Sequence, residues 1–209
     1  VTSTRLAVFY GSKPDKVTRE LVPSGSERAR REEHYRLEAV HPADQQGRAQ
    51  LVTVLFPYDP RHQKAKLSRM DDGNGVLVRH ANGVSDYIRA TDGATEHAAA
   101  AGVRFQARLV LFRQTGDSIA FYLARKAVHF RGHKTGFTST TPISMYMRSV
   151  NGRISAEEKA QVTFHHPGIS GVRLNGESPA TLKKGTGWCQ VTIPPGDNQA
   201  ITLITDNGE

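Results

Sequence analysis

The densest concentration of side chains able to do chemistry is the run His129-Phe130-Arg131-Gly132-His133-Lys134, where cationic groups interleave with a ring and a glycine. Guanidinium and ammonium groups grip carboxylate, sulfate or phosphate, and an adjacent ring offers a face to a base or to a sugar. Arg131, His133 and Lys134 are therefore the candidate substrate-binding residues, for an anionic polymer. Tyr58, Trp188 and Tyr146 are candidate stacking platforms, set against the ordinary use of aromatics in β-proteins as packing.

The other chemistry-bearing residues assemble less readily. His165 and His166 are adjacent, so on a strand their rings face opposite sides and cannot share one ion. His129 and His133 converge only if the chain turns at Gly132. His80 precedes Ala81-Asn82-Gly83 and is expected across a hairpin from Asp86, a pair suited to a hydrogen bond or to two metal ligands. Zinc requires a third protein ligand, which the spacing does not place. No metal site is assigned, no motif names a cofactor, and no catalytic residue is assigned. Phosphate-loop, dinucleotide, nucleophile-elbow and zincin patterns are missing. Gly168-Ile169-Ser170-Gly171 is one residue short of an elbow.

The 209 residues carry 28 Lys and Arg against 20 Asp and Glu, a net charge of +8 that favours polyanionic partners. Acidic glycan and nucleic acid satisfy that charge equally. The block Arg28, Arg30 and Arg31 nearly cancels against Glu27, Glu32 and Glu33. No stretch approaches the ~18 apolar residues of a membrane helix, so no membrane segment is expected. Cys189, the sole cysteine, leaves no intrachain disulfide. It alternates with Val191 and Ile193, which predicts a buried thiol. The opening Val1-Thr2-Ser3-Thr4-Arg5 is unlike a secretion signal and fits a segment of a larger protein.

The elements that must position these residues are strands, because period-2 alternation dominates. Leu6, Val8 and Tyr10 form one set and Tyr35, Leu37 and Ala39 another. Leu51 to Phe56 is apolar on both faces, as in a covered central strand. Val103, Phe105, Ala107, Leu109 and Leu111 read as one long one-sided stripe. Gln114-Thr115-Gly116-Asp117 then turns the chain into Ile119, Phe121 and Leu123. Turns are expected at Asp72-Gly73, Asn74-Gly75, Asn82-Gly83, Asp92-Gly93, Asn151-Gly152 and Asn175-Gly176. Thr95 to Ala101 is the best helical candidate, read as a loop with a helical turn, and Gly132 to Pro142 reads as a long polar loop. The pattern predicts an all-β fold, an antiparallel β-sandwich of many short strands with little helix, over residues 1–209 as a single domain.

Several strings occur together in a recognisable order: His34-Tyr35-Arg36-Leu37-Glu38-Ala39-Val40-His41-Pro42, Leu51 to Tyr58, Asn82-Gly83-Val84-Ser85-Asp86-Tyr87-Ile88, and Gly171-Val172-Arg173-Leu174-Asn175-Gly176. This order resembles the C-terminal β-sandwich of heparinase II/III-like polysaccharide lyases. The resemblance implies an accessory sandwich of an enzyme that cleaves uronic-acid polysaccharide by β-elimination. It also implies an α/α-toroid domain of the same parent protein as partner, and a periplasmic or secreted location. The family's catalytic Asn, Tyr and His belong to the toroid, and the His-x-His string of its sandwich has no counterpart here. No catalytic role therefore transfers, and the chain alone is expected to be inactive. The alternative is a non-catalytic carbohydrate-binding or structural β-sandwich.

Overall fold

The computed structural model describes residues 5–10, 14, 16–22, 34–40, 52–58, 65–70, 74–99, 102–179 and 182–206. Strand β1 (Arg5–Tyr10) pairs antiparallel with β4 (Thr53–Tyr58), and β2 (Lys16–Val22) with β3 (His34–Val40), as two separate ribbons. All other strands join one 14-stranded antiparallel network. These are β5 (Lys66–Arg69), β6 (Gly75–Arg79), β7 (Val84–Ala90), β8 (His97–Ala98), β9 (Arg104–Gln106), β10 (Leu109–Thr115) and β11 (Ser118–Arg131). They continue with β12 (Gly136–Arg148), β13 (Asn151–Ala156), β14 (Ala160–His165), β15 (Ile169–Leu174), β16 (Leu182–Gly185), β17 (Trp188–Ile193) and β18 (Gly196–Thr205). Among the described residues there is no α-helix, and so none long and apolar enough to cross a membrane.

The hairpin of β11 and β12 folds this network into two layers. The first half of β11 pairs with β10 and with the end of β12, whereas its second half pairs with β9 and the start of β12. Strand β12 divides its other edge in the same way, between β14 and β13. The larger layer runs β15-β18-β13-β12-β11-β10-β7-β6-β5 and the smaller β16-β17-β14-β12-β11-β9-β8. Both long strands bend where they change layer. In β11 the register shifts on either side of Ala127, beside Lys126 at φ 49°. Bulges of this kind re-aim a strand. In β12 the bend falls near Pro142, which offers the ladder no N–H.

Between the layers lies a core of rings from both sheets. Phe112 meets Phe130 edge-on at 5.7 Å, Tyr122 stacks on Phe130 at 4.3 Å, and Tyr87 stacks on Phe112 at 4.9 Å. Each buried Phe removes enough apolar surface from water to contribute about 1.5–3 kcal/mol. A second, smaller core lies on the outer side of β6 and β7, where Val76 and Val78 pack with Val52, Val54 and Ile88. Cys189 is buried, as its alternation predicts, and burial pushes its thiol pKa up.

Several sequence expectations are corrected. The stripe from Val103 to Leu111 is two strands: Val103, Phe105 and Ala107 face the core, but beyond Arg108 the inward residues are Val110 and Phe112. The chain crosses from the smaller to the larger layer at Ala107-Arg108, and that crossing reverses which parity is buried. Gly132 to Pro142 is not a long loop. Only a short turn, closed by the Gly132 N–H donating to the Thr135 carbonyl at 2.8 Å, precedes β12. Thr140 is exposed, Phe137 is fully buried, and the Thr141 hydroxyl on the same parity is buried too. The turn expected at Asn151-Gly152 lies instead at Ser149-Val150, with Ser149 at φ 54°. Gly152 serves close packing, since a Cβ there would sit 2.1 Å from the Tyr146 carbonyl oxygen. Strand β4 is no central strand: among the described residues it pairs with β1 alone. Within the helical candidate, His97–Ala98 is strand β8, while Ala100 and Ala101 lie outside the described residues. So do Asp72-Gly73 and the block from Glu27 to Glu33.

The turn expected at Asn74-Gly75 does not sit on that pair, because Gly75 begins β6 and its carbonyl accepts from the Met70 N–H at 3.1 Å, but turns at three other Asn/Asp-Gly pairs fall where expected. Gly83, Gly93 and Gly176 take positive φ, and Asn175 joins them at φ 52°. The β10–β11 hairpin closes at Gly116-Asp117.

Candidate functional site

On the outer face of the smaller layer, strand register places chemically matched residues side by side. One row reads Arg104, Arg131, Gly136, His165, Trp188 and Gly185, each opposite the next on the neighbouring strand. Two residues further along each strand a second row reads Gln106, His129, Thr138, Thr163, Gln190 and Lys183. Strands lie about 4.8 Å apart, so Arg131 and Trp188 stand roughly 14 Å apart across three steps.

The face is built by alternation. In β17, Cys189, Val191 and Ile193 point into the core, so Trp188 and Gln190 point out. In β14, Val162 and Phe164 are buried and Thr163 and His165 face outward. Trp188 packs its indole closely against Gly185, the residue opposite it on β16. A Cβ on Gly185 would sit 2.4, 2.6 and 2.8 Å from three consecutive indole atoms, Nε1, Cε2 and Cζ2. The Nε1 side of the ring therefore lies close over Gly185, and Trp188 stays partly exposed. Gly136, itself buried, lies between Arg131 and His165 where only a glycine fits, since a Cβ there would lie 2.2 Å from the Phe130 carbonyl oxygen.

The polar groups on this face are arranged as donors and acceptors. Gln190 Nε2 donates to Thr163 Oγ1 at 3.2 Å, and Gln106 Nε2 donates to the Gly93 and Ala94 carbonyls at 3.1 Å. At the β8 edge, Glu96 lies 3.4 Å from Arg104 Nη1 and 3.1 Å from His129 Nε2. Arg131 has no carboxylate partner among the described residues. Burial lowers the His165 pKa, and the charge of Arg131 lowers it further. Burial also lowers that of His129, with Arg131 adding to the shift and Glu96 opposing it. Both imidazoles are accordingly neutral near pH 7 and act as hydrogen-bonding groups, leaving the positive charge to Arg131 and Lys183.

Of the predicted binding residues, Arg131 sits within the first row, and His133 and Lys134 are exposed in the turn that borders its Arg131 end. Of the predicted platforms, Trp188 is on this face, Tyr146 is on the outer face of the other layer, and the side chain of Tyr58 lies outside the described part. The histidine pairs separate. His129 turns toward Glu96 while His133 stays in the turn, and His166 Nδ1 lies 2.9 Å from the Pro167 carbonyl oxygen. His80 and Asp86 do meet, at 2.8 Å, but both carboxylate oxygens are also taken by Arg113, at 2.6 and 2.8 Å. Ser170, of the near-elbow, donates its hydroxyl to the Ile204 carbonyl at 3.3 Å.

No protein-family model and no curated protein matches the chain. The face is therefore read from its own chemistry: an aromatic platform, a cation, and neutral amide, hydroxyl and imidazole groups on a rigid sheet. That set holds a ring with an apolar face, hydroxyls and a negative charge. Tyr122 is wholly buried, which pushes its phenol pKa far up, and its hydroxyl reaches only Met145 Sδ at 3.5 Å. No group of three or more His, Cys, Asp or Glu side chains able to hold a metal occurs among the described residues.

Sequence reasoning missed Thr138, Thr163, Gln190, Lys183 and the two glycines. Their signal was available: in β14 and β17 the outward parity is Gln, Thr, His and Trp rather than the Lys and Glu of an ordinary solvated face.

Proposed function

We propose that this chain is a non-catalytic β-sandwich that binds acidic polysaccharide across the outer face of its smaller layer. The observation that carries the reading is the register that sets Trp188, His165 and Arg131 in one row across β17, β14, β12 and β11. A pyranose stacks its C–H face on Trp188, its hydroxyls bond His165, Thr163 and Gln190, and a carboxylate or sulfate further along the polymer pairs with Arg131. The inter-strand spacing is close to the length of one sugar residue, so successive rings meet successive strands. Net charge supports an anionic polymer over a neutral one.

The test is affinity electrophoresis and calorimetry of the chain with heparin, polygalacturonate and single-stranded DNA at matched salt. Binding to an acidic glycan lost in Trp188→Ala supports the reading. Retention of DNA alone, or glycan retention unchanged by Trp188→Ala, overturns it. The narrower reading, an accessory sandwich of a uronate lyase paired with an α/α toroid, is supported by the resemblance of the quoted strings. Under it the isolated chain releases no unsaturated uronide from these polymers, and turnover by the chain alone overturns the non-catalytic assignment.

A further inference from the structure

The opposite side of the sandwich carries an independent groove. On the outer face of the larger layer, β12, β13 and β18 bound a hollow of about 550 Å³ lined by Tyr146, Arg148, Asn151, Arg153, Ala200 and Thr202 among others, with no acidic residue in its wall. Among the described residues Tyr146 is one of two large hydrophobic side chains that remain exposed, at 38%. Register sets Tyr146 opposite Arg153, and Arg153 opposite the small Ala200, which opens the floor. In the adjoining row Arg148 faces Asn151, and Asn151 faces Thr202. The Thr202 hydroxyl donates to Asn151 Oδ1 at 2.9 Å, fixing the amide so that its NH₂ is the free end. Arg153 Nη1 donates to the Asn198 carbonyl at 3.2 Å, which steadies one guanidinium, and Arg148 has no carboxylate partner among the described residues. Phe121 backs Tyr146 at 6.4 Å.

We infer that this groove is a second binding site for an anionic saccharide, with a ring on Tyr146 and its carboxylate or sulfate held by Arg148 and Arg153. Two guanidinium groups in a wall free of acids select a negative charge. The exposed phenol and oriented amide select a hydroxylated ring over a bare anion. Because the two faces lie on opposite sides of the sandwich, one chain holds two polymer strands and cross-links them. This inference rests on the acidic-glycan reading for its ligand class, but on different residues.

Trp188 is the sole tryptophan, so its emission reports the first face alone, whereas calorimetry counts both. With a galacturonate tetrasaccharide, the expected result is two equivalents per chain. Tyr146→Ala or Arg148→Gln removes one equivalent, or weakens it about tenfold, and leaves the emission titration unchanged. With polygalacturonate, light scattering from cross-linked complexes rises with the unaltered chain and is lost in either variant. One equivalent that Trp188→Ala abolishes overturns the second site and leaves the proposed function standing. Binding that Tyr146→Ala abolishes, with silent Trp188 emission, sustains the groove and overturns the first face. Tighter binding of single-stranded DNA than of the saccharide at the groove overturns the ligand assignment. Both altered side chains are exposed, and unchanged thermal unfolding confirms that each variant is folded.

Discussion

Trp188 rests its indole on the backbone of Gly185, so closely that a methyl group on Gly185 would fall 2.4 Å from Nε1. The pair is held in register at the end of β16 and the start of β17, where Gly185 faces Trp188 directly. Gly185→Ala is expected to lift the ring off the sheet. Affinity for acidic glycan should fall about tenfold and Trp emission should move to the red, with unfolding stability changed by less than about 1 kcal/mol at this layer-edge strand. Unchanged emission would show that the ring does not depend on the glycine.

Arg131 is expected to dominate the salt dependence. Each cation that neutralises a polymer charge releases about one counterion, so Arg131→Gln should lower the slope of log affinity against log salt by about one. His133 and Lys134 border the row from a turn, and the His133→Ala, Lys134→Ala double variant should change affinity less than Arg131→Gln does. The reverse ranking would move the binding surface from the sheet to the turn.

Burial lowers the His165 and His129 pKa values below the 6.5 of a free imidazole. The unfolded chain therefore binds more protons than the folded one between those lowered values and about 6.5, and stability rises with pH across that window. Denaturant midpoints should fall on going from about pH 7.5 to about pH 5, and His165→Gln should flatten the dependence. A midpoint that rises on acidification would contradict the burial argument.

Asp86 shows the opposite sign. Burial pushes its pKa up, but the hydrogen bonds and charges of Arg113 and His80 together outweigh burial and hold it below 3.8. Its contribution is present above about pH 3.8 and is lost as pH falls through the folded value. Asp86→Asn should cost about 1–3 kcal/mol at neutral pH, measured by chemical denaturation. Its effect on saccharide binding at the Trp188 face, read by Trp188 emission, should be small, since the cluster lies on the larger layer.

In the core, the Tyr122 hydroxyl meets only a thioether, so Tyr122→Phe should change stability by less than about 1 kcal/mol. Phe130→Ala empties the centre of the ring cluster and should cost about 3–5 kcal/mol. A large loss in Tyr122→Phe would assign the phenol a role beyond packing.

The all-β antiparallel sandwich was legible because alternation needs only local sequence. Cys189, Val191 and Ile193, or Val162 and Phe164, declare one buried face each. What alternation does not reveal is the point where a strand changes layer. At Ala107-Arg108 the buried parity reverses, and along Ser118–Arg131 and Gly136–Arg148 a bulge and a proline bend single strands across both sheets. Those long-range pairings decide which residues share a row. Arg131 was singled out from its basic and aromatic neighbours, and Trp188 as a ring, but nothing local joins two residues so far apart in the chain. Only the pairing of β11 with β12, β12 with β14 and β14 with β17 does that. The His80–Asp86 pair was legible because a single tight turn connects them, whereas Arg113 enters from another strand.

The most direct measurement is a fluorescence titration of the single tryptophan with a galacturonate or heparin tetrasaccharide. The expected result is a saturable change in Trp188 emission that weakens with added salt and in Arg131→Gln. Saccharide binding seen by calorimetry with no change in Trp188 emission, or emission that saturates equally well in Arg131→Gln at every salt concentration, would contradict the assignment of this face.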